Sequence, residues 1–266
     1  MPADRTDRAA DRTDRAEGAD TGRADGSMSV WERMAQSPPA PRPVLTHARI
    51  VAAALTIADT DGLDAVSMRR LATELGVSAM TCYRYVSGKD DIIELMLDRV
   101  RAEMLLEQPG GFWREVLRAS ALRFRQVVLR HPWMTDVPGR ILFAPTPAHL
   151  ALMEQQFTAL DGLGLSMEQM ADVTGAVTAY TRASTHDEIA RARLRAPEGW
   201  SSGQEARKAN LARLSFLLEA GDYPLYQRYV REGSPDDDEN ARFEFGLDCL
   251  LDGMATRLGL PPRPSH

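Results

Sequence analysis

The 266-residue chain contains only two cysteines, Cys82 and Cys249, and aromatic residues make up only 6% of it. Two cysteines in separate segments are too few for a disulfide framework, so we expect a protein of the reducing cytoplasm. No uninterrupted apolar stretch approaches the roughly 20 residues that a membrane-spanning helix needs. The amino-terminal residues are of mixed charge, so no secretory signal is expected. These features predict a soluble protein with no membrane partner.

The sequence also lacks the short motifs of several enzyme classes. It contains no Walker loop, GxGxxG, GxSxG or HExxH. The run His186-Asp187-Glu188 offers possible metal ligands or acid-base groups, but adjacent residues on a helix point about 100° apart and converge poorly on one ion. We therefore predict that the protein is not an enzyme and holds no metal or cofactor.

Residues 67 to 89 carry the most informative pattern, which is two short helices around a tight turn. Leu71 and Leu75 have the spacing of an inward helical stripe. Ser67 can cap the first turn of this helix, and Gly76 can adopt the left-handed conformation that ends it. The stretch is therefore typical of a helix-turn-helix or of a helical hairpin.

The second helix of the pair has an outer surface suited to DNA. Cys82 and Val86 continue its inward face, and we interpret Cys82 as a packing residue rather than a redox sensor. Arginine suits guanine edges or phosphates, tyrosine and threonine hydroxyls suit phosphates, and methionine suits thymine methyls. Lys89, at the start of the next helix, suits a phosphate oxygen. The outer positions are Ala79, Met80, Thr81, Tyr83, Arg84 and Tyr85.

The segment from residue 45 to residue 100 resembles the amino-terminal DNA-binding domain of the tetracycline-repressor (TetR) family. The resemblance is carried by the Asp-Gly-Leu turn at 61 to 63, the Leu-Ala-x-x-Leu-Gly-Val-Ser core ending at Ser78, and the Tyr83 and Lys89 positions. It implies a ligand-responsive regulator, by default a repressor, that binds palindromic double-stranded operator DNA as a homodimer. The implied DNA-contacting residues are Thr46, Ser67, Arg69, Arg70, Ser78, Ala79, Met80, Thr81, Tyr83, Arg84, Tyr85 and Lys89.

The charge of the chain is acidic overall but uneven. The formal net charge is -6, yet affinity for DNA depends on the cations that face phosphate. Between residues 67 and 89, Glu74 is the one acidic residue beside four cations, Arg69, Arg70, Arg84 and Lys89. This distribution predicts a positive contact surface and salt-sensitive DNA binding.

The predicted fold is all-α. Residues 1–43 are expected to form a disordered mixed-charge extension, either a solvated tail or an arm that reaches the DNA minor groove. Residues 44–88 form the helix-turn-helix domain, and residues 89–266 form a larger helical ligand-binding and dimerisation domain. The helix that starts near Lys89 is expected to reach Leu106. Further helices are predicted at about 112–130, 147–160, 166–195, 204–220, 223–232 and 239–258.

Two cues, LRHPWM at 129–134 and FEFGLDCLLDGM at 243–254, resemble regulators with the tetracycline-repressor type of carboxyl-terminal domain. The resemblance implies a hydrophobic small-molecule effector bound in a mostly apolar pocket. For any one candidate for its lining, plain packing is the favoured alternative. The candidates are Met96, Val100, Met104, Phe124, Trp133, Phe143, His149, Met153, Phe157 and Tyr180.

The resemblance also implies a four-helix bundle at the dimer interface, with the helices at 204–220 and 239–258 as the expected participants. Both helices could instead be core. The candidate dimerisation residues are Leu211, Leu214, Leu218, Phe243, Leu247, Leu250 and Met254. The alternative to the whole interpretation is an all-helical enzyme or small-molecule-binding protein in which the helical pair at 67 to 89 is scaffold.

Overall fold

A computed structural model describes residues 45–108, 110–195, 199, 203–232 and 238–261. Within these ranges the chain forms helices, turns and loops and no strand, which confirms the all-α prediction. The predicted amino-terminal extension, residues 1–43, lies outside the described part of the chain.

The helices of the described ranges follow one another without a sheet. Those after residue 106 begin and end within one residue of the predicted positions, apart from a short helix and a 3-10 turn that were not predicted. The 3-10 turns are Leu63–Ala65 and Pro132–Asp136. The helices are α1 (His47–Asp61), α2 (Met68–Leu75), α3 (Ala79–Tyr83), α4 (Lys89–Ala102), α5 (Trp113–Arg130), α6 (Gly139–Leu142), α7 (Pro147–Leu160), α8 (Met167–Arg195), α9 (Gly203–Ala220), α10 (Pro224–Glu232) and α11 (Glu239–Leu258).

Helix α4 ends at Ala102, so the prediction that it reaches Leu106 is wrong. The backbone N–H groups of Glu103, Met104 and Leu105 donate to carbonyls only three residues back, which tightens the chain into a turn. The N–H of Leu106 donates to Gln155 Oε1 of α7 at 3.1 Å. Met104 is nevertheless buried, so the apolar pattern reports packing beyond the end of the helix.

The sequence signals around α2 and α3 act as predicted. Ser67 Oγ accepts from the N–H of Arg70, and Ser78 Oγ accepts from the N–H of Thr81, each at 3.2 Å. Gly76 has a φ of 65°, the left-handed conformation that ends α2. The caps and the glycine fix the two helices of the pair, and residues 45–88, with α1, α2 and α3, are called the head below.

The first of two apolar clusters joins the head to the rest of the chain. Helix α4 buries Ile92, Met96, Leu97 and Val100 completely in this cluster. The head contributes Ile50, Ala54, Ile57 and Leu71, and α5 with the turn after it contributes Val127, Val128, Trp133 and Met134. This proximal cluster runs across the predicted domain boundary at residue 88, so the head shares one core with the helices that follow it.

The second cluster, called the distal cluster, is built by α5, α7, α8 and α11. It contains Trp113, Leu117, Leu160, Val173, Val177, Phe243, Leu247 and Leu251. Phe243 and Leu247 are only 3% and 0% exposed within the single chain. Their predicted role in dimerisation is therefore wrong, because their side chains fill the interior of the protomer. Leu250 and Met254 pack half-buried against the same cluster.

Gly246 lets α11 approach α8 closely. A Cβ at this position would lie 2.2 Å from the Tyr180 hydroxyl oxygen, far inside van der Waals contact. We predict that Gly246→Ala lowers the free energy of unfolding by about 1–3 kcal/mol, the usual range for overpacking, as measured by chemical denaturation. Alanine otherwise favours a helix over glycine, so higher stability of the variant would contradict the close approach. The penalty should shrink in a Tyr180→Ala background.

Candidate nucleic-acid interface and effector cavity

Helix α3 presents a polar and aromatic surface at the outside of the head. Met80 is 75% exposed and Tyr83 is 50% exposed, although both are large side chains that could have packed inward. Cys82 and Val86 face the interior. All the residues predicted to contact DNA are exposed or half-buried, and none belongs to either apolar cluster except Tyr85, which packs at the edge of the proximal one.

Cys82 is fully buried, as expected of a packing residue. Burial raises the pKa of its thiol above the usual value, because an apolar environment disfavours the thiolate. The thiolate is the reactive form of cysteine. The thiol of Cys82 therefore stays protonated and unreactive at neutral pH.

The positive charge of the segment from residue 67 to residue 89 is smaller than its count of charged side chains indicated, because one of its cations is paired. Arg70 Nη2 donates to Asp61 Oδ2 at 3.0 Å, and Asp61 stands just before that window. Such an exposed pair contributes at most about 1 kcal/mol and leaves Arg70 able to exchange partners. Arg69, Arg84 and Lys89 form no ion pair within the part of the chain that the structure describes. These three cations supply the positive electrostatic potential of the proposed contact surface.

His47 is a residue of this surface that the sequence did not indicate. Its Nε2 donates to the backbone carbonyl of Tyr85 at 3.0 Å, and its ring meets the Tyr85 ring edge-on with centroids 5.5 Å apart. The start of α1 thereby holds Tyr85 beside Thr46, which caps α1 by accepting from the N–H of Arg49. The contact spans 38 positions, so no local spacing could have shown it.

Several residues predicted to line an effector pocket are packed in the proximal cluster or exposed to solvent instead. Met96, Val100 and Met104 are packed inside the proximal cluster. Trp133 is 1% exposed and its indole N–H donates to Asp59 of α1. Phe143 is 68% exposed, with the Arg182 guanidinium 5.3 Å from its ring centroid, so its predicted role in the lining is wrong. The other candidates are half-buried: Phe124, His149, Met153, Phe157 and Tyr180.

A polar layer separates the two apolar clusters. On α7 and on α8, a stretch rich in polar residues lies between the positions that belong to the two clusters. The buried Thr181 and Thr185 hydroxyls donate to carbonyls of their own helix at 2.7 Å. Gln156 Oε1 is buried and has no hydrogen-bond partner among the described residues. The buried polar groups of this layer belong to Gln156, Thr181 and Thr185.

His149 shares the inward face of α7 with Gln156, two helical turns away. Burial, and secondarily the Arg101 guanidinium, lower the pKa of its imidazole below the usual value. The imidazole is therefore neutral at pH 7 and can both donate and accept a hydrogen bond. A buried carboxamide oxygen and a neutral imidazole on one helix face suit an uncharged ligand that carries a hydrogen-bond donor.

Helix α4 is tied to the chain segment that leads into α7. The buried Arg101 guanidinium donates to the carbonyls of Leu142 and Ala144 and to Thr146 Oγ1, the last two at 3.3 and 3.2 Å. Burial lowers the pKa of this guanidinium. Asp98 Oδ1 accepts from the N–H of Ala148 at 2.8 Å, in the first turn of α7. A displacement of α7 would therefore be transmitted to α4.

A polar cavity of about 110 Å³ lies between α8 and α11, lined by Tyr180, Ser184, Asp187, Glu188, Arg191, Glu239, Arg242 and Phe243. Two of its carboxylates are engaged, since Glu188 binds Arg125 and Glu239 binds Arg191. The Glu188 side chain is thus held by Arg125 and does not join His186 and Asp187 in the metal or catalytic site that their sequence run suggested. Within the described ranges no group of three or more metal-ligating side chains converges.

Two family models match consecutive parts of the chain. Residues 50–96 match the model of bacterial regulatory proteins of the tetR family, and residues 107–258 match the tetracyclin repressor-like carboxyl-terminal domain. The HTH-type transcriptional repressor DrrR1 of Streptomyces coeruleorubidus is 32% identical over 229 residues, which cover 85% of this chain and 83% of DrrR1.

The chain belongs to the TetR family. The class E tetracycline repressor of Escherichia coli is a more distant TetR relative, 26% identical over 212 residues, with 79% of this chain and 90% of that protein covered. Both relatives are named as repressors, and neither name describes an enzyme.

Solved TetR structures share the fold. Ligand-free ActR of Streptomyces coelicolor is 27% identical, with a TM-score of 0.64 over 81% of this chain and 97% of that chain. ActR in complex with actinorhodin gives the same identity and TM-score, with 85% and 100% covered. In the described part of this TetR-family chain, no helix has the length and apolarity needed to cross a membrane.

The adjacent glutamines of α7 allow a matched test of the polar layer. We predict that Gln156→Leu raises the free energy of unfolding of the ligand-free protein by about 1–3 kcal/mol, because it removes a buried oxygen that lacks a partner. Gln155→Leu should lower it, because Gln155 bonds both the N–H and the carbonyl of Leu106. Urea denaturation measures both. Destabilisation by Gln156→Leu as large as that by Gln155→Leu would contradict the assignment.

Proposed function

We propose that this TetR-family protein is a non-enzymatic, ligand-responsive transcriptional repressor of the cytoplasm. It binds a palindromic operator as a homodimer and is released by a hydrophobic small molecule. The observation that carries the proposal is the α3 surface, where Met80 and Tyr83 are exposed beside the cations Arg84 and Lys89. The name of the relative DrrR1 supports repression, and the structure of ActR in complex with actinorhodin supports a small-molecule effector.

DNA binding by this surface follows from its chemistry. Arg84 and the exposed residues of α3 can reach base edges in the major groove, which admits an α-helix. Lys89 and the N–H groups in the first turn of α4 can bind a phosphate. Tyr85, held by His47, and Thr46 would border the same strand of the duplex. The head then positions α3 through phosphate contacts and reads sequence through Met80 and Arg84.

We predict that Lys89→Ala weakens binding to any duplex that the protein recognises and lowers the slope of log affinity against log salt by about 0.9 for each phosphate that the variant no longer neutralises. The probe is a duplex selected from a random library by the wild-type protein, and the measurement is fluorescence anisotropy between about 50 and 200 mM salt, a range in which such slopes are well defined. Arg257→Ala, an exposed arginine in the last turn of α11, is the matched control and should leave the slope unchanged. An unchanged slope for Lys89→Ala would contradict a phosphate contact.

The proposed dimer uses the outer faces of α8 and α11, which pack against each other. Helix α8 is apolar on its buried side and also exposes small residues at every fourth position, Ala171, Gly175, Ala179 and Ala183. Helix α11 exposes Ala241, Phe245, Cys249 and Gly253 at the same spacing. Apolar strips along two adjoining long helices are stabilised when another surface covers them. Two such pairs related by a twofold axis form a four-helix bundle.

Helix α9 remains the alternative partner of α11 in this bundle, as the sequence suggested. Leu211 is 52% exposed, and Leu214 and Leu218 are half-buried. On α11 itself, only the half-buried Leu250 and Met254 of the predicted residues could also reach a partner. The outer strips of α8 and α11 are favoured here because the two helices pack against each other extensively, whereas α9 touches α8 at few points.

We predict that Phe245→Arg yields a monomer in light scattering at micromolar concentration and abolishes binding to the palindrome, because it places a charge in an apolar interface. Phe216→Arg on α9, a side chain of similar exposure, is the matched control and should remain dimeric. The Cys249 thiol should react faster with a maleimide in the monomer than in the wild type. Dissociation by Phe216→Arg and not by Phe245→Arg would assign the interface to α9.

The effector is proposed to occupy the polar layer between the clusters. A hydrophobic molecule with a hydroxyl or amide donor would satisfy Gln156 Oε1 and use His149 as a second polar contact. Met153, Phe157 and Phe124 would supply apolar lining. Occupation would displace α7, and Arg101 with Asp98 would carry the displacement to α4 and the head. The spacing of the two heads would then no longer match the operator.

A further inference from the structure

Asp59, in the last turns of α1, holds two side chains from a distant part of the chain. His131 Nδ1 donates to Asp59 Oδ1 at 2.7 Å, and Trp133 Nε1 donates to the same oxygen at 2.8 Å. Both donors belong to the turn that follows α5, more than 70 positions along the sequence. Asp59 itself belongs to the head.

The two donors are buried, and the carboxylate is not. His131 and Trp133 are only 6% and 1% exposed, whereas one third of the Asp59 side chain is exposed. Hydrogen bonds to an ionised acceptor are the stronger kind. A buried indole N–H without its acceptor is destabilised by the full desolvation penalty. The carboxylate of Asp59 therefore gives the turn a strong preference for one position against α1.

The same turn also touches the end of α4. The imidazole of His131 lies between two carboxylates, because its Nε2 is 3.6 Å from Glu103 Oε2. Glu103 is held in turn by Arg130 at 3.1 Å. Asp59 thus contacts the part of the chain that follows the head directly, through hydrogen bonds other than those that Arg101 of α4 donates.

We propose that Asp59 is a positioning residue for operator binding. It fixes the angle between the head and the ligand-binding domain, and through that angle the separation of the two heads in a dimer. The inference rests on the proposed function, since only a dimer that reads two half-sites needs a fixed separation. Asp59 lies at the end of α1 outside the proposed contact surface, so it should not alter the contacts of one head with DNA.

The test compares a full palindrome with a single half-site, both taken from the duplex that the wild-type protein selects. Asp59→Ala is expected to weaken palindrome binding about tenfold, within the usual range of coupling between sites, and to broaden the tolerated half-site spacing. Half-site affinity should stay within about twofold of the wild type. Trp133→Phe, which removes the N–H and keeps the apolar ring, should reproduce the effect from the other side.

Asp61→Ala is the matched control on the same helix. Asp61 binds Arg70 inside the head, so removing its carboxylate should change palindrome affinity by about the square of the factor by which it changes half-site affinity, because the palindrome engages two heads. A loss of palindrome affinity in Asp59→Ala no larger than the square of its half-site loss, or no loss on either duplex, would overturn the proposal.

A second readout needs no DNA. The chain has four tryptophans, and the indole N–H resonance that disappears in Trp133→Phe identifies Trp133 in a ¹⁵N-labelled sample. In Asp59→Ala this resonance should move upfield and its proton should exchange faster with water. An unchanged resonance would refute the contact between Asp59 and Trp133. Failure of the wild type to bind any duplex would refute the proposed function and leave this measurement decisive for Asp59.

Discussion

The burial of α4 between the head and the helices that follow it is the constraint on which the rest of the structure depends. Ile92, Met96 and Val100 have no solvent-facing alternative, because the head packs on one side of them and the turn after α5 packs on the other. A close-packed interior of this kind transmits displacement instead of absorbing it. The head is therefore oriented by the same core that stabilises it, and Arg101 and Asp59 bind at two different points of that junction.

The distal cluster packs α11 onto the rest of the protomer, and the polar layer lies between this cluster and the proximal one. Phe243 and Leu247 anchor α11 to the protomer, which leaves the opposite face with Phe245 and Cys249 for another surface. Between the clusters, the unsatisfied oxygen of Gln156 is a local cost to stability of a kind that proteins retain at functional positions. An effector bound at this level would lie between the part of the protein that is proposed to dimerise and the part that is proposed to bind DNA.

Local signals predicted most of the fold, and long-range contacts account for what they missed. Ser67, Gly76 and Ser78 act within a few residues of themselves, so their caps and turn were readable from the sequence. Phe243 and Leu247 share an apolar helix with Phe245, and periodicity does not say which of its faces meets the protomer and which a partner. Trp133 has the residue type of a pocket lining, and nothing near it in sequence points to Asp59. The contact of His47 with Tyr85 is invisible for the same reason.

Native-state hydrogen exchange tests the shared core most directly. If the head and the ligand-binding domain form one cooperative unit, the slowest amides of α1, such as those of Ala54 and Ile57, should exchange with the same opening free energy as the slowest amides of α5, such as Val127. Both sets should also respond equally to a destabilising substitution at Val100. Exchange of the α1 amides at a clearly lower opening free energy, insensitive to that substitution, would show that the head opens on its own and would contradict the account.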